Sequence, residues 1–455
     1  MNGVWPSKQE FDREIQLYQD LAASIKIVRL NLSPIPYRFR VLVLLCSLTT
    51  LTYLDRICIS LVGVRLKADL HLNNEQFGWV LAAFALAYAL FEIPSGVLGD
   101  HIGPRKVFIR IVLWWSFFTA LTGLANGLIA LLIVRFLFGV GESGTYPNCI
   151  LVVSRWFPVR ETGKALSWVG IGSQLGAAMA PLVVVPLATA FGWRVPFFVI
   201  GSLGIVWVWF CYSWFRDFPW QMKTMPVPEK KMIEESCRHN SQQHLVSWKL
   251  IFRNSTLWPL MLMYFCCQWA NYFFVAWMPV YLQEGRGFSE NAMKMITSIL
   301  FIVGICGFLT GGVAGDWLLK HSGLKWGRRL TGMIGLGACG FLLMVAALSA
   351  HKHIAVSCLI GANFSFSFGV MVSYAVCADI GRNNAGTVTG AMNFFGQMGA
   401  FSLALVFGKI VQLTHHFDYP LYLVACVLFT GCLLWLAIDP EKTIPSIEKM
   451  QVEGQ

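Results

Sequence analysis

Charge is what this chain has least of. Asp, Glu, Lys and Arg make up 13% of its 455 residues, against roughly 25% in a soluble globular domain. Hydrophobic residues reach 56% and aromatics 14%. That balance excludes an ordinary soluble domain and indicates a polytopic membrane protein. Other absences narrow the class. No G-x-x-x-x-G-K-[ST] loop is present, so a built-in ATPase is not expected. The 13 cysteines show neither metal-ligand spacing nor a secreted disulfide framework; they read as small apolar packing residues, and no metal or cofactor is expected. Histidines are missing from the core apolar runs, and no nucleophile or paired acids gather near a loop mouth, which argues against an enzyme. The net charge of +11 raises nucleic acid as a partner, but the basic residues sit in short loops between apolar runs rather than on one face, so none is expected. Residues 1–37 are charged and the first apolar run begins near Val41, so no cleavable signal is expected. Phe11, Ile15, Tyr18, Leu21, Ile25 and Val28 repeat at helical spacing. They predict an amphipathic helix on the membrane surface, with a plain cytosolic tail as the alternative.

What is present is a series of apolar runs. About 20 residues cross the hydrocarbon core, and runs of that order occupy 41–64, 77–99, 107–126, 128–153, 164–188 and 196–214, then 256–282, 291–318, 330–349, 354–378, 387–413 and 420–438. The expected fold is an all-α membrane protein of twelve transmembrane helices in two six-helix bundles. Its divisions would be a cytoplasmic tail (1–37), an N-terminal bundle (38–214), a cytoplasmic linker (215–255), a C-terminal bundle (256–438) and a second tail (439–455). Basic residues favour the cytoplasmic side of short loops. Arg38 and Arg40, Arg105 and Lys106, Arg155 and Arg160, the linker with Lys230 and Lys231, and Lys320, Lys325, Arg328 and Arg329 all fall on one side. Both termini are therefore expected in the cytoplasm.

Charges deep inside these runs include Asp55 and Arg56 in the first and Arg135 and Glu142 in the fourth. Each costs roughly 2.5–3.5 kcal/mol at a helix centre. Residues that expensive normally face a bundle interior, pair with one another and mark a substrate or proton path. At 1.5 Å per residue, Asp55 lies about 21 Å and Arg135 about 20 Å from the inner face, with Glu142 about 10 Å closer to that face. Glu142 is too far along its own helix from Arg135 for direct contact. A carboxylate in a dry site is able to load and release protons, so Asp55 and Glu142 are the candidate proton sites. A purely structural Asp55–Arg135 pair is the alternative. A guanidinium binds planar anions bidentately, which makes Arg56 the candidate for the substrate's carboxylate. Arg135 is second, and is expected to partner a carboxylate of the protein. Tyr53, Tyr88, Gln174, Tyr272 and Asn393, from the first, second, fifth, seventh and eleventh runs, are candidates for binding substrate hydroxyls or, equally, for helix-to-helix bonds. Pro94, Pro147 and Pro181 are candidate kinks, and Lys409 is expected to snorkel to the interface.

The two halves echo each other. Gly96-Val97-Leu98-Gly99-Asp100 with Gly103-Pro104-Arg105-Lys106 follows the second run, and Gly312-Val313-Ala314-Gly315-Asp316 with Gly327-Arg328-Arg329 follows the eighth. The first stretch resembles the G-x-L-x-D-x-x-G-x-[RK]-[RK] loop of the major facilitator superfamily. Its glycines allow a tight turn and close helix approach, Asp100 caps or pairs at a helix end, and Arg105 and Lys106 hold the loop inside. Tyr53-Leu54-Asp55-Arg56, with Arg135 to Glu142 and Gly139-x-Gly141 between them, resembles the anion:cation symporter branch. That branch includes proton-coupled importers of hexonates and hexuronates and the phthalate-type carriers, and the likeness covers roughly residues 38–440. It implies proton-coupled symport of a small organic anion by alternating access, with Asp55 and Glu142 as proton sites. The second half lacks a comparable charge cluster and offers Gln268, Asn271, Tyr272, Ser373 and Tyr374 instead. A sugar acid therefore fits better than an aromatic carboxylate; the latter, and a transporter-like sensor, remain the alternatives. Partners are then the substrate anion, protons and the lipid bilayer, with the chain as a monomer. The short first loop, Arg65 to Gln76, has no N-x-[ST] sequon, which favours a microbial member in a bacterial inner membrane.

Overall fold

The computed structural model describes residues 35–222, 224–237, 257–381 and 385–442. Residues 1–40 form one compact unit, of which 35–40 are described, and residues 41–455 form a second. The stripe from Phe11 to Val28, linker residues 238–255 and the tail beyond Lys442 lie outside the described residues.

No strand occurs among the described residues. Among the described residues, nine helices are long and apolar enough to cross a bilayer. The first six are Tyr37–Leu61, Asn74–Ile102, Pro104–Leu124, Leu128–Trp156, Glu161–Phe191 and Val195–Trp214; Glu290–Leu348, Lys352–Gly381 and Ala385–Thr414 follow in the second half. The helix Glu290–Leu348 is two spans, the eighth and ninth, meeting at Gly323 (φ 75°, ψ 173°), a backbone conformation open to glycine and costly to other residues. The seventh span, assembled from Trp258 to Gly285, and the twelfth, Asp418–Leu434, complete twelve. Large apolar side chains including Val43, Phe117, Ile129, Phe191, Val313 and Leu413 are exposed around them, as a lipid-facing surface requires.

Two spans depart from regular helix. The fourth consists of Leu128–Glu142 and Thr145–Trp156, so its break immediately follows the buried Glu142. The Thr145 hydroxyl donates to the Glu142 carbonyl (2.8 Å), and the Asn148 amide donates to the Gly144 carbonyl (2.8 Å). These bonds occupy carbonyls at the break, where Pro147 supplies no N–H. The seventh runs helically to Tyr272 and then through π turns at Phe273–Trp277 and Tyr281–Gly285. Pro279 sits between those turns, and its missing donor disturbs the i to i−4 ladder. Pro94 lies inside the second span, and Pro181 and Pro186 inside the fifth.

The halves meet along two seams: the second span packs along the eleventh, and the fifth along the eighth. At the face expected to lie outside, polar bonds cross between them. Arg65 pairs with Glu290 (2.5 Å), Lys67 pairs with Glu284 and donates to Asn74 (both 2.6 Å), and the Asn74 amide N–H donates to Gln412 (3.3 Å). At the opposite face Lys325–Asp439 and Arg328–Asp379 (2.7 and 2.9 Å) join spans within the second half.

Candidate functional site

The first span buries Thr49, Thr52 and Ser60 along with its two charges, while Ser47 is exposed. Asp55 and Arg56 are buried on it, as are Arg135 and Glu142 on the fourth, none more than 9% exposed. The Arg56 Nε donates to Glu142 Oε1 at 2.6 Å, so the fourth-span carboxylate receives its partner from another helix. Three rings surround that guanidinium: Tyr53 and Phe84 at 5.1 Å and Tyr88 at 4.8 Å. Such faces attract a cation and keep water from it.

Arg135 is placed differently. Its guanidinium lies over Phe138 (4.5 Å) and Phe84 (5.1 Å), in electrostatic reach of Asp55 and Glu142, yet among the described residues it makes no ion pair with either. Asp55 instead accepts a hydrogen bond from the Thr119 hydroxyl of the third span (2.6 Å). The carboxylate-bound arginine is thus Arg56, whereas Arg135, expected to partner a carboxylate of the protein, makes no such bond among the described residues. Spacing along one helix carries no information about which neighbour a side chain meets across the bundle.

Of the expected polar partners, Tyr53 and Tyr88 are brought to Arg56. Tyr272 donates to the Leu81 carbonyl of the second span (2.7 Å) and so ties the halves together. Gln174 is buried in the fifth span beside Gly304 of the eighth. Asn393 donates from the eleventh span to Glu92 Oε1 of the second at 3.3 Å.

Glu92, in the second span, is a further buried acid, 2% exposed, beyond the four charges named from sequence. The same insertion-cost criterion that singled out Asp55 applies to an acid inside 77–99 and would have found it. Also missed were the bond between Tyr146 and Ser173 and the role of Tyr264, whose hydroxyl meets that of Tyr374 at 2.8 Å. Several atoms of these converging side chains are buried without a hydrogen-bond partner among the described residues: Arg56 Nη2, Arg135 Nε, Glu142 Oε2, Glu92 Oε2, Gln268 Oε1 and Ser373 Oγ. Leaving one such group unsatisfied costs about 1–3 kcal/mol, and more when it is charged. The concentration of donors and acceptors from both halves is chemistry suited to a polar anion.

The loop motif packs at the other face. Gly103 takes φ 86° between the second and third spans. The carboxylate that caps the third helix is Asp217, which accepts from the Arg105 amide N–H (2.7 Å), while Asp100 lies near Arg155. Arg105 also donates to the Tyr212 carbonyl. Gly96 approaches Pro147 and Gly99 approaches Asn148, so the second span rests on the distal half of the fourth. Lys106 and Lys409 are exposed.

Comparison with known families gives a match to the Major Facilitator Superfamily over residues 45–404. The chain belongs to the major facilitator superfamily. Members of this superfamily are transporters and not enzymes, and the twelve-span fold is theirs. Three relatives align over most of their length. A probable sulfoacetate transporter, SauU, of Cupriavidus necator is 32% identical, covering 90% of this chain and 95% of that protein. A probable L-galactonate transporter of Escherichia coli is 27% identical, with 88% and 90% covered. A hexuronate transporter of Bacillus subtilis is 28% identical, with 81% and 86% covered. Among solved structures, a bacterial homolog of the human lysosomal transporter Spinster, in an inward-facing and unoccupied conformation, superposes with a TM-score of 0.72 at 18% identity. The match covers 91% of this chain and all of that one, and supports the shared fold.

Proposed function

We propose that this major facilitator protein is a secondary active transporter that carries a small organic anion, most suitably a sugar acid, in symport with protons. The observation that carries this reading is the Arg56–Glu142 pair inside its aromatic cage. The guanidinium suited to the substrate's carboxylate is held by the protein's own carboxylate. Protonating Glu142 weakens that bond and frees Arg56 for an incoming anion, so proton and anion binding favour one another. By linkage the coupling runs equally in both directions.

Charge count supports the same reading. Among the described residues the buried site holds two guanidinium groups, Arg56 and Arg135, and three carboxyls, Asp55, Glu92 and Glu142. Adding an anion to a fully ionised set would deepen an uncompensated negative charge in a low-dielectric interior, which is unfavourable without proton uptake. Asp55, bonded to Thr119 and near Arg135, is the second proton station. Tyr53, Tyr88, Gln174, Tyr272 and Asn393 line or brace the substrate's position, and the clustered polar groups of the second half suit hydroxyls. Relatives named for galactonate and hexuronate transport support a sugar acid; the relative named for sulfoacetate makes a small sulfonated acid the second reading. The loop face bearing Arg105 and Lys106 is cytoplasmic in this reading, as are both termini, with a monomer in a bacterial inner membrane.

The deciding experiment is uptake into proteoliposomes of labelled galactonate, glucuronate, sulfoacetate and phthalate under an inward proton gradient. Accumulation of a sugar acid above its equilibrium level, abolished by a protonophore, is expected. Accumulation that ignores the proton gradient would remove symport, and uptake of sulfoacetate alone would select the second reading.

A further inference from the structure

Two exposed cations of the third span, Lys106 and Arg110, have no ion pair or hydrogen bond among the described residues. The acids at that end are engaged elsewhere. Asp217 accepts from the Arg105 amide N–H, and Asp100 and Asp217 both lie in electrostatic reach of Arg155. Arg110 stands six residues inside the helix Pro104–Leu124, about 9 Å from its start. A charge facing lipid at that depth is costly unless its side chain reaches a polar headgroup.

The neighbouring sixth span completes a groove around them. Arg105 lies over the Tyr212 ring (5.1 Å), Phe108 meets Trp207, and Gly204 abuts Val112 and Ser116, so the two helices run antiparallel in a fixed register. Lys106, Arg110 and Leu113 share one face of the third span, and Tyr212, Trp209 and Ile205 share one face of the sixth. All six are exposed. Each face lies about 100° on from its helix's contact row in the same rotational sense, which for antiparallel helices brings both to one side of the pair. The register sets Lys106 level with Tyr212, Arg110 with Trp209 and Leu113 with Ile205. Cations, amphipathic rings and aliphatic groups thus follow one another from the loop face inward, the order of a phosphate, a headgroup boundary and an acyl chain. We propose that this groove binds an anionic phospholipid, its phosphodiester between Lys106 and Arg110 and its acyl chain along Leu113 and Ile205. A zwitterionic lipid fits less well, because its ammonium group would meet the same two cations with no free acid to receive it.

The test offers the purified, delipidated protein an equimolar mixture of phosphatidylglycerol and phosphatidylcholine with matched acyl chains, and counts retained lipid by native mass spectrometry. The native protein is expected to retain phosphatidylglycerol in preference by about 10-fold or more, as two basic contacts supply. Lys106→Gln/Arg110→Gln brings the ratio to within about 3-fold. Lys320→Gln, which removes an exposed cation of the second half, leaves it unchanged. Should the double variant fail to fold, either single substitution is expected to lower the ratio. Phosphatidylglycerol carrying a diazirine in its acyl chain locates the site in the native protein, with adducts expected to concentrate on residues 104–124 and 195–214. Equal retention of the two lipids, a ratio unchanged in the double variant, or adducts spread evenly over the spans would overturn the proposal. Displacement of the lipid by inorganic phosphate at the same concentration would overturn it too, since the groove would then be a simple anion site.

Discussion

Glu142 and Arg56 form one bond, and substitutions at its two ends should have opposite consequences. Glu142→Gln keeps the side chain's size and removes the ionisable group, leaving the guanidinium in its cage of Tyr53, Phe84 and Tyr88. Substrate binding and exchange are expected to stay within a few-fold of native, while accumulation driven by a proton gradient is lost; counterflow and uphill uptake, measured side by side, separate the two. Arg56→Ala takes away the anchor and strands Glu142. Truncating one partner of a buried charge pair costs roughly 2–5 kcal/mol, so binding measured by thermal stabilisation should weaken about 10²-fold or more. Arg56→Lys should recover only part of this, since an ammonium lacks the planar fork. A Glu142→Gln protein that still accumulates substrate uphill would contradict the proton role. At this scale the sequence was informative because intramembrane charge is costly wherever it sits; that made Asp55, Arg56, Arg135 and Glu142 legible and should have made Glu92 so.

The helices add what spacing leaves open. A break after Glu142 and π turns around Pro279 place irregular backbone in the fourth and seventh spans, where helices are able to flex during rocking. Proline positions hinted at such bends without saying which carbonyls would be freed. At the face expected outside, Arg65–Glu290 and Lys67–Glu284 fasten the first half to the second. Partly exposed pairs are worth up to about 1 kcal/mol each, so breaking both should shift the conformational ratio roughly 10- to 30-fold toward the outward-open state. Spin labels at His71 and Gly287 in a Lys67→Ala/Glu290→Gln protein should report a longer distance population than in the parent; an unchanged distribution would dismiss the latch. Close by, the Trp193 indole N–H and the Arg194 guanidinium hold the Asp69 carboxyl below its usual range. A depressed carboxylate stabilises above its unfolded value and loses that contribution as pH falls through the folded one. The loop is therefore expected to loosen only in acid, which hydrogen exchange at residues 69–72 would show.

Across the whole molecule, basic loops set the expected orientation. A cysteine placed at Asn126 should react with an impermeant maleimide on intact cells, and one at Lys106 only after permeabilisation. The reverse pattern would invert the topology. Much of the architecture was settled by sequence, because crossing a bilayer requires about 20 apolar residues per helix and tolerates few departures. Twelve runs and a doubled loop motif therefore announced the major facilitator fold. Tertiary structure decided the pairings. Only packing brought Arg56 to Glu142, gave Thr119 to Asp55, and set Asn393 against Glu92 across 301 residues of chain. Hydropathy depends on each residue's own transfer energy and is readable along the chain. A hydrogen bond between helices depends on two rotations and a translation that one-dimensional order leaves open.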